Sequence, residues 1–262
     1  MTSFRERVLN REPLLGCFLT WPTAGVAELL ALAGFDFLVL DTEHGFFSIE
    51  SVERMVIAAD GAGIPSIVRV PSCVAAEVGR SLDAGAAGIL FPRGDGAAMV
   101  RAAIESAKFP PAGKRGLGGV RANRYGSIPL DQFVREANER TVIVAQIETA
   151  SALAEVDQIA SEPSLDVLFV GPNDLTQALG VPGQYADPRY KQAFEKIARQ
   201  AQASRKAAGI MLGRADQIPG LREIGYTFFT TSDRALFLES ARAWRTALGR
   251  KTEEGKRKTK KE

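Results

Sequence analysis

Among its 262 residues the chain has a single histidine and only two cysteines. Cys17 and Cys73 provide neither a disulfide framework nor the paired spacing of a thiolate metal site. No apolar run is long enough to span a bilayer. The N-terminal stretch MTSFRERVLNREP has charge but no apolar centre, so no signal peptide is expected. A GxGxxG turn, a P-loop and a nucleophile elbow are all missing, which removes the usual sequence marks of dinucleotide binding, nucleotide hydrolysis and serine-based acyl transfer. An excess of one charge is missing too, because 33 Lys and Arg against 31 Asp and Glu leave a formal charge of +2. That excess sits in the terminal stretch GRKTEEGKRKTKKE, and the body before it is near neutral or slightly acidic. The expected organisation is one barrel domain over 1–250 followed by a basic, solvated and disordered tail over 251–262. Without interleaved aromatics or a basic fold surface, the tail does not suggest nucleic-acid binding. A soluble, cytoplasmic protein with no membrane partner is expected.

What is present is a regular alternation. Eight short apolar runs (LLGCFLT, FDFLVLD, PSIVRV, GILFP, VIVAQIE, VLFVGP, GIMLG and YTFFTTS) are separated by stretches with apolar residues at helical spacing. In SVERMVIAADGAG, for example, Val52, Met55, Val56 and Ala59 share one helical face. Helices are expected over 23–33, 48–61, 73–84, 95–107, 150–160, 188–208, 215–223 and 233–248. Alternation of this kind predicts an α/β protein with a parallel sheet, and eight units match a single-domain (β/α)8 TIM barrel. An open doubly wound sheet is the competitor, but it normally carries a glycine-rich phosphate turn early in the chain. One insertion, 108–129, is rich in Gly, Pro and Arg and too long for a connector, so a lid or a subunit contact is expected there.

Barrel enzymes hold their chemistry at the C-terminal ends of strands. Those ends carry Asp41-Thr42-Glu43-His44, Arg69, Gln146 with Glu148, and Asn173-Asp174. If the barrel closes, they make a site with a base, a cation and two carboxylates. Glu148 and Asp174 suit a hard divalent ion such as Mg2+ or Mn2+, although acids at helix starts also serve as caps. Arg69, inside an apolar strand, needs either a ligand or a structural ion pair once buried. Asp41, three residues before His44, is the natural carboxylate to pair with it. No lysine falls at a strand end, so an imine-forming aldolase has no candidate nucleophile.

The segments GFDFLVLDTEHG, IVRVP, LDAGAAGILFP, FPPAGKRGLG, VAQIET and FVGPNDL, in that order, resemble the metal-dependent (class II) pyruvate aldolases of the 4-hydroxy-2-oxoheptanedioate aldolase family. The similarity runs from about residue 14 to residue 248 and leaves out only the two ends. It implies a (β/α)8 barrel whose last helix packs on a neighbouring subunit, commonly in a homohexamer. It also implies a lyase that reversibly cleaves a 4-hydroxy-2-oxo acid to pyruvate and an aldehyde through a pyruvate enolate. The divalent ion would be Mg2+ or Mn2+, with Co2+ a further option, and no Schiff-base lysine would take part. By the same resemblance His44 is the catalytic base, Arg69 steadies the enolate, and Asp83 in SLDAG raises the basicity of His44. Glu148 and Asp174 hold the metal, while Gln146, Asn173 and Asp174 contact the pyruvate part. The choice of aldehyde is expected to depend on 108–129, on Leu212 in IMLGR and on neighbouring subunits. Thr42 and Asn173 depart from the family by standing where smaller residues are frequent. Two alternatives share these residues or this fold: an oxaloacetate decarboxylase on the same site, and an inactive barrel kept as a binding or assembly module. The second predicts losses among His44, Arg69, Glu148 and Asp174, and none is lost.

Overall fold

In the computed structural model, which describes residues 2–249, the eight apolar runs become the eight strands of one closed parallel barrel in sequential order. The strands are β1 (Leu14–Leu19), β2 (Phe37–Asp41), β3 (Ser66–Arg69), β4 (Gly88–Phe91), β5 (Val142–Ile147), β6 (Val167–Val170), β7 (Ala207–Met211) and β8 (Tyr226–Ser232). Helices α1 (Phe4–Leu9), α2 (Ala24–Leu32), α3 (Ile49–Gly61), α4 (Ala75–Asp83), α5 (Ala97–Ala107) and α6 (Leu130–Arg140) belong to the first half. The second half carries α7 (Ala150–Ala154), α8 (Val156–Ala160), α9 (Pro172–Ala178), α10 (Pro188–Ala203), α11 (Ile218–Glu223) and α12 (Asp233–Ala247). The (β/α)8 expectation is met. The basic segment 251–262 lies outside the described residues, and among those described no helix is long and apolar enough to cross a membrane.

Alternate residues of each strand face opposite sides of the sheet. Phe37 and Val39, Ile67, Val142 and Val144, and Val167 and Phe169 belong to the cluster inside the barrel. Their neighbours Leu38, Leu40, Val68, Ile143, Ala145, Leu168 and Val170 fill the layer between sheet and helices. The interior is plugged by aromatics: Phe37 stacks on Phe228 at 4.2 Å, and Phe228 meets Phe169 edge-on at 6.3 Å. Gly16 leaves room for this plug, since a Cβ there would overlap the Phe37 ring. Counting on in steps of two, Asp41, Arg69 and Gln146 are the last inward positions of β2, β3 and β5. The alternation that builds the core thus also lifts three polar groups to the rim above it.

Some elements differ from expectation. Helix α6 is absent from the expected set although Leu130, Phe133, Val134 and Ala137 fall at helical spacing, because it follows directly on the Gly-, Pro- and Arg-rich insertion and buries only Phe133 of its own residues. Helix α1 is likewise unheralded, and it is held by buried Val8 and by Arg5 on Asp166 at 2.9 Å. The stretch 150–160 breaks into two short helices at Glu155, whose carboxylate instead accepts the Ala97 N–H of α5 at 2.9 Å. The insertion contains one 3-10 turn, Arg121–Asn123, folded on itself by Asn123, which donates to the Gly118 carbonyl at 2.7 Å. Lys108, at its start, is buried and donates to the carbonyls of Asn138 and Thr141 at 2.8 and 2.9 Å, tying the insertion to the end of α6.

The aromatic plug gives a direct stability test. Phe228→Ala would leave a cavity against Phe37 and Phe169, and denaturant titration should show a loss of about 3–5 kcal/mol, as for other large-to-small core changes.

Candidate active site

Asp41 and Arg69 are register partners across β2 and β3, so their side chains rise side by side. Arg69 donates from Nε to Asp41 Oδ1 at 2.9 Å and from Nη2 to Oδ2 at 2.6 Å, and its Nη1 lies 3.3 Å from Glu43 Oε2. Beneath it, the Phe18 ring lies 4.9 Å from the guanidinium carbon. The same Asp41 Oδ1 accepts the backbone N–H groups of Glu43 and His44, each at 3.1 Å. Thr42 fastens the turn to β3 by donating its hydroxyl to the Arg69 carbonyl at 2.6 Å. The result is a rigid turn that presents His44 outward, its side chain 57% exposed, with Nε2 3.9 Å from Glu43 Oε2.

Across the mouth, Glu148 follows β5 and is only 3% exposed. Its Oε1 accepts the backbone N–H of Arg93 at 2.8 Å, and its Oε2 accepts from Gln146 Nε2. Burial pushes the Glu148 carboxyl up to about 7, the Arg93 N–H opposes that, and the nearby carboxylates of Asp174 and Glu43 add to the rise. The amide oxygen of Gln146 is buried with no hydrogen-bond partner. Gly171 stands over this pair, where any Cβ would overlap Glu148 Oε2 and Gln146 Nε2. Immediately after Gly171, α9 begins with Pro172, which fixes the first turn and sets Asn173 and Asp174 at the pocket. The Asn173 Oδ1 accepts the hydroxyl of Tyr185 at 2.5 Å.

His44, Arg69, Gln146, Asn173 and Asp174 all line one pocket of about 160 Å³, with Glu148 bonded directly beneath Gln146. Two expected residues are not brought there. Asp83 ends α4, five residues before the start of β4, and so lies toward the N-terminal ends of the strands, whereas His44 follows the C-terminal end of β2. Its carboxylate accepts from Arg115 at 2.7 Å, so within this chain it does not orient His44. Asp41 does not pair with the imidazole either: it holds the His44 backbone, and the carboxylate next to the ring is Glu43. Leu212 points away, into the layer between sheet and helices, because it is one residue out of phase with the inward-facing Met211 that lines the pocket in its place. Sequence reasoning also missed Phe18, Thr20, Ser232 and Arg234 on the pocket wall. Inspecting the ends of β1 and β8 by the same strand-end rule would have found most of them.

Fold and site together present a parallel barrel with an exposed histidine, a paired arginine and a buried carboxyl around one small pocket. The profile of the HpcH/HpaI aldolase/citrate lyase family matches residues 14–234. The chain is 34% identical over 236 residues to the 2-dehydro-3,6-dideoxy-6-sulfogluconate aldolase of Pseudomonas putida, covering 89% of this chain and 92% of that protein. It is 35% identical over 251 residues to the hydroxypyruvate/pyruvate aldolase of Paraburkholderia phytofirmans, covering 93% and 95%. A crystal structure of a HpcH/HpaI aldolase/citrate lyase family protein from Burkholderia cenocepacia superposes with a TM-score of 0.89 at 33% identity, over 95% of this chain and 99% of that one. The chain belongs to the HpcH/HpaI aldolase/citrate lyase family. It is an aldolase, a carbon–carbon lyase.

Glu148 makes the stability of the ion-free protein depend on pH. A carboxyl whose folded pKa is raised stabilises the fold below its unfolded value and loses that contribution as pH climbs through the folded one. The window runs from 4.5 to about 7. With divalent ions chelated, wild type should lose on the order of 3 kcal/mol relative to Glu148→Gln across that window. Urea titrations at pH values spanning it would show the difference.

Proposed function

We propose that the pocket cleaves a 4-hydroxy-2-oxo acid to pyruvate and an aldehyde, and joins them in reverse, with a divalent ion held by Glu148 and Asp174. The observation that carries this reading is the buried Glu148–Gln146 pair beside Asp174, facing Arg69 and His44 across one pocket. The residues suit the ion. A nearly buried carboxyl pushed up to about 7 lacks a cation, the Gln146 oxygen lacks a donor, and Gly171 keeps the space above them clear. Among the described residues no group of three or more His, Cys, Asp or Glu side chains is arranged to hold a metal, so substrate and water would complete the shell. An all-oxygen set favours Mg2+ or Mn2+ over softer ions. When bound, the ion would supply Lewis acidity at the 2-oxo oxygen of the substrate.

The chain's own groups do the rest. In the cleavage direction His44 takes the proton of the 4-hydroxyl, the C3–C4 bond breaks to give the aldehyde, and its electron pair passes toward C3 and the 2-oxo oxygen. Arg69 faces that developing charge. Its position is fixed beforehand by Asp41, so little reorganisation is needed as the charge forms. Glu43, beside the ring, balances the charge His44 acquires with the proton. Return of a proton to C3 releases pyruvate. Asn173, oriented by Tyr185, and Gln146 bound the oxo-acid part. The reading includes assembly with further copies of the chain, a hexamer in the family resemblance. The apolar side chains of Phe237, Leu238, Trp244 and Leu248 exposed on and just after α12 support it.

His44→Ala should slow pyruvate methyl-proton exchange by about 10²–10⁴-fold, the usual contribution of a positioned base. The same variant should keep the thermal stabilisation that Mg2+ or Mn2+ confers. Exchange near the wild-type rate would remove His44 from the chemistry. EDTA should stop pyruvate release from a 4-hydroxy-2-oxo acid, and borohydride should leave no pyruvate-sized adduct on any lysine.

A further inference from the structure

We infer that Asp233 is a positioning residue for His44, which it holds through the backbone of Thr20. The inference rests on the reading of His44 as the base and adds the group that fixes the far side of its turn. Asp41 secures the near side by accepting the N–H groups of Glu43 and His44. Beyond His44 the chain needs a second anchor, because the ring is 57% exposed and Phe46 after it is 76% exposed. That anchor is the carbonyl of Thr20, which accepts the Phe46 N–H at 3.0 Å. Gly45 lies against it: a Cβ there would overlap the Asp41 carbonyl oxygen and come within 3.1 Å of the Thr20 carbonyl oxygen. The turn is therefore clasped between the ends of β2 and β1, with His44 between the two clasps.

Thr20 stands one residue beyond β1, past the last β1–β8 register pair, Phe18 with Ser232. Its place is set by Asp233, the first residue of α12 and only 7% exposed. Asp233 Oδ2 accepts the Thr20 N–H at 2.7 Å and the Trp21 N–H at 3.3 Å. Its Oδ1 accepts the Thr20 hydroxyl at 3.0 Å and the Arg234 N–H at 2.7 Å. An acid in the first turn of a helix is ordinary by itself, because it favours the helix dipole. Here Ser232 already caps α12 by accepting the Ala235 N–H at 3.2 Å, and three of the four donors on Asp233 come from the β1 end instead. The carboxylate is thus committed to Thr20 and Trp21 rather than to its own helix. Without it the buried Thr20 N–H loses its acceptor, and the carbonyl that steadies Phe46 is free to shift. A base displaced by about 1 Å can lose on the order of 10²-fold in rate.

The test is pyruvate methyl-proton exchange in deuterium oxide by Asp233→Asn, His44→Ala and the double variant. An amide replaces one acceptor oxygen with a donor, so it cannot satisfy Thr20, Trp21 and Arg234 together. Asp233→Asn should lower kcat for exchange by about 10- to 100-fold and leave KM within about threefold, because Arg69, Glu148 and Asp174 are untouched. In the His44→Ala background the same substitution should cost less than about threefold, since the group it positions is gone. The chain has one histidine, so a labelled imidazole gives one set of ring signals. These should shift or broaden in Asp233→Asn. The matched control is Asp166, a fully buried carboxylate just before β6, at the opposite end of the barrel, that accepts the Ile143 N–H at 2.9 Å. Asp166→Asn should lose stability yet keep the ring signals in place and kcat within about twofold of wild type. If Asp233→Asn does not fold, Thr20→Val decides: it removes the hydroxyl contact with Asp233 and should lower kcat by about 2- to 10-fold, again only while His44 is present. Unchanged kcat, unmoved ring signals, or losses that multiply in the double variant each overturn the inference and leave His44 as the base. Exchange at the wild-type rate in His44→Ala would overturn the base assignment itself, and this inference with it.

Discussion

Four donors converge on the carboxylate of Asp41: two from the Arg69 guanidinium and the backbone N–H groups of Glu43 and His44. This one buried group positions both the guanidinium and the imidazole of the site. It fixes the plane of the guanidinium, and it closes the turn that delivers His44 to the rim. Removing one member of such a pair costs far more than the pair contributes, because a charge is left buried without a partner. The interaction is cheap to form here because the β2–β3 register makes the two residues neighbours. The aromatic floor then prevents either from sinking into the barrel.

The opposite wall works on a different principle. Glu148 is held in place while short of charge compensation, since burial and two neighbouring carboxylates disfavour its anion. A carboxyl in this condition is eased by a proton, or, in the proposed reading, by a cation. Gly171 matters because it is the only residue type that leaves the needed space. One wall is thus electrostatically complete, and the other holds a buried carboxyl short of positive charge. In the proposed function the 2-oxo acid group would lie between the paired arginine and the Glu148 and Asp174 side chains.

The barrel was legible because eight apolar runs with helical stretches between them admit few other folds. The strand-end rule pointed to His44, Arg69, Gln146, Asn173, Asp174 and Glu148; the first five line one pocket and Glu148 bonds to Gln146 beside it. Other features were hidden for reasons that can be named. Helix α6 does carry a stripe, Leu130, Phe133, Val134 and Ala137, but it follows directly on the irregular insertion and reads as part of it. Leu212 and Met211 differ by one step of strand phase, and the phase of a short run like GIMLG is ambiguous until its neighbours are known. The position of Asp83, at the end of the helix that precedes β4, already puts it toward the N-terminal ends of the strands, away from His44 of the same chain. Asp41 was placed beside the histidine by proximity, whereas cross-strand register gives its carboxylate to Arg69 and leaves the imidazole to Glu43.

The central claim is that Asp41 and Arg69 act as one unit, and a double-mutant cycle on pyruvate methyl-proton exchange tests it most directly. Asp41→Asn and Arg69→Lys should each slow exchange by about 10²–10³-fold, and the double variant should be little slower than the worse single one. If the two effects multiplied, or if Asp41→Asn exchanged at the wild-type rate, Arg69 would be acting without Asp41 and the account would be contradicted.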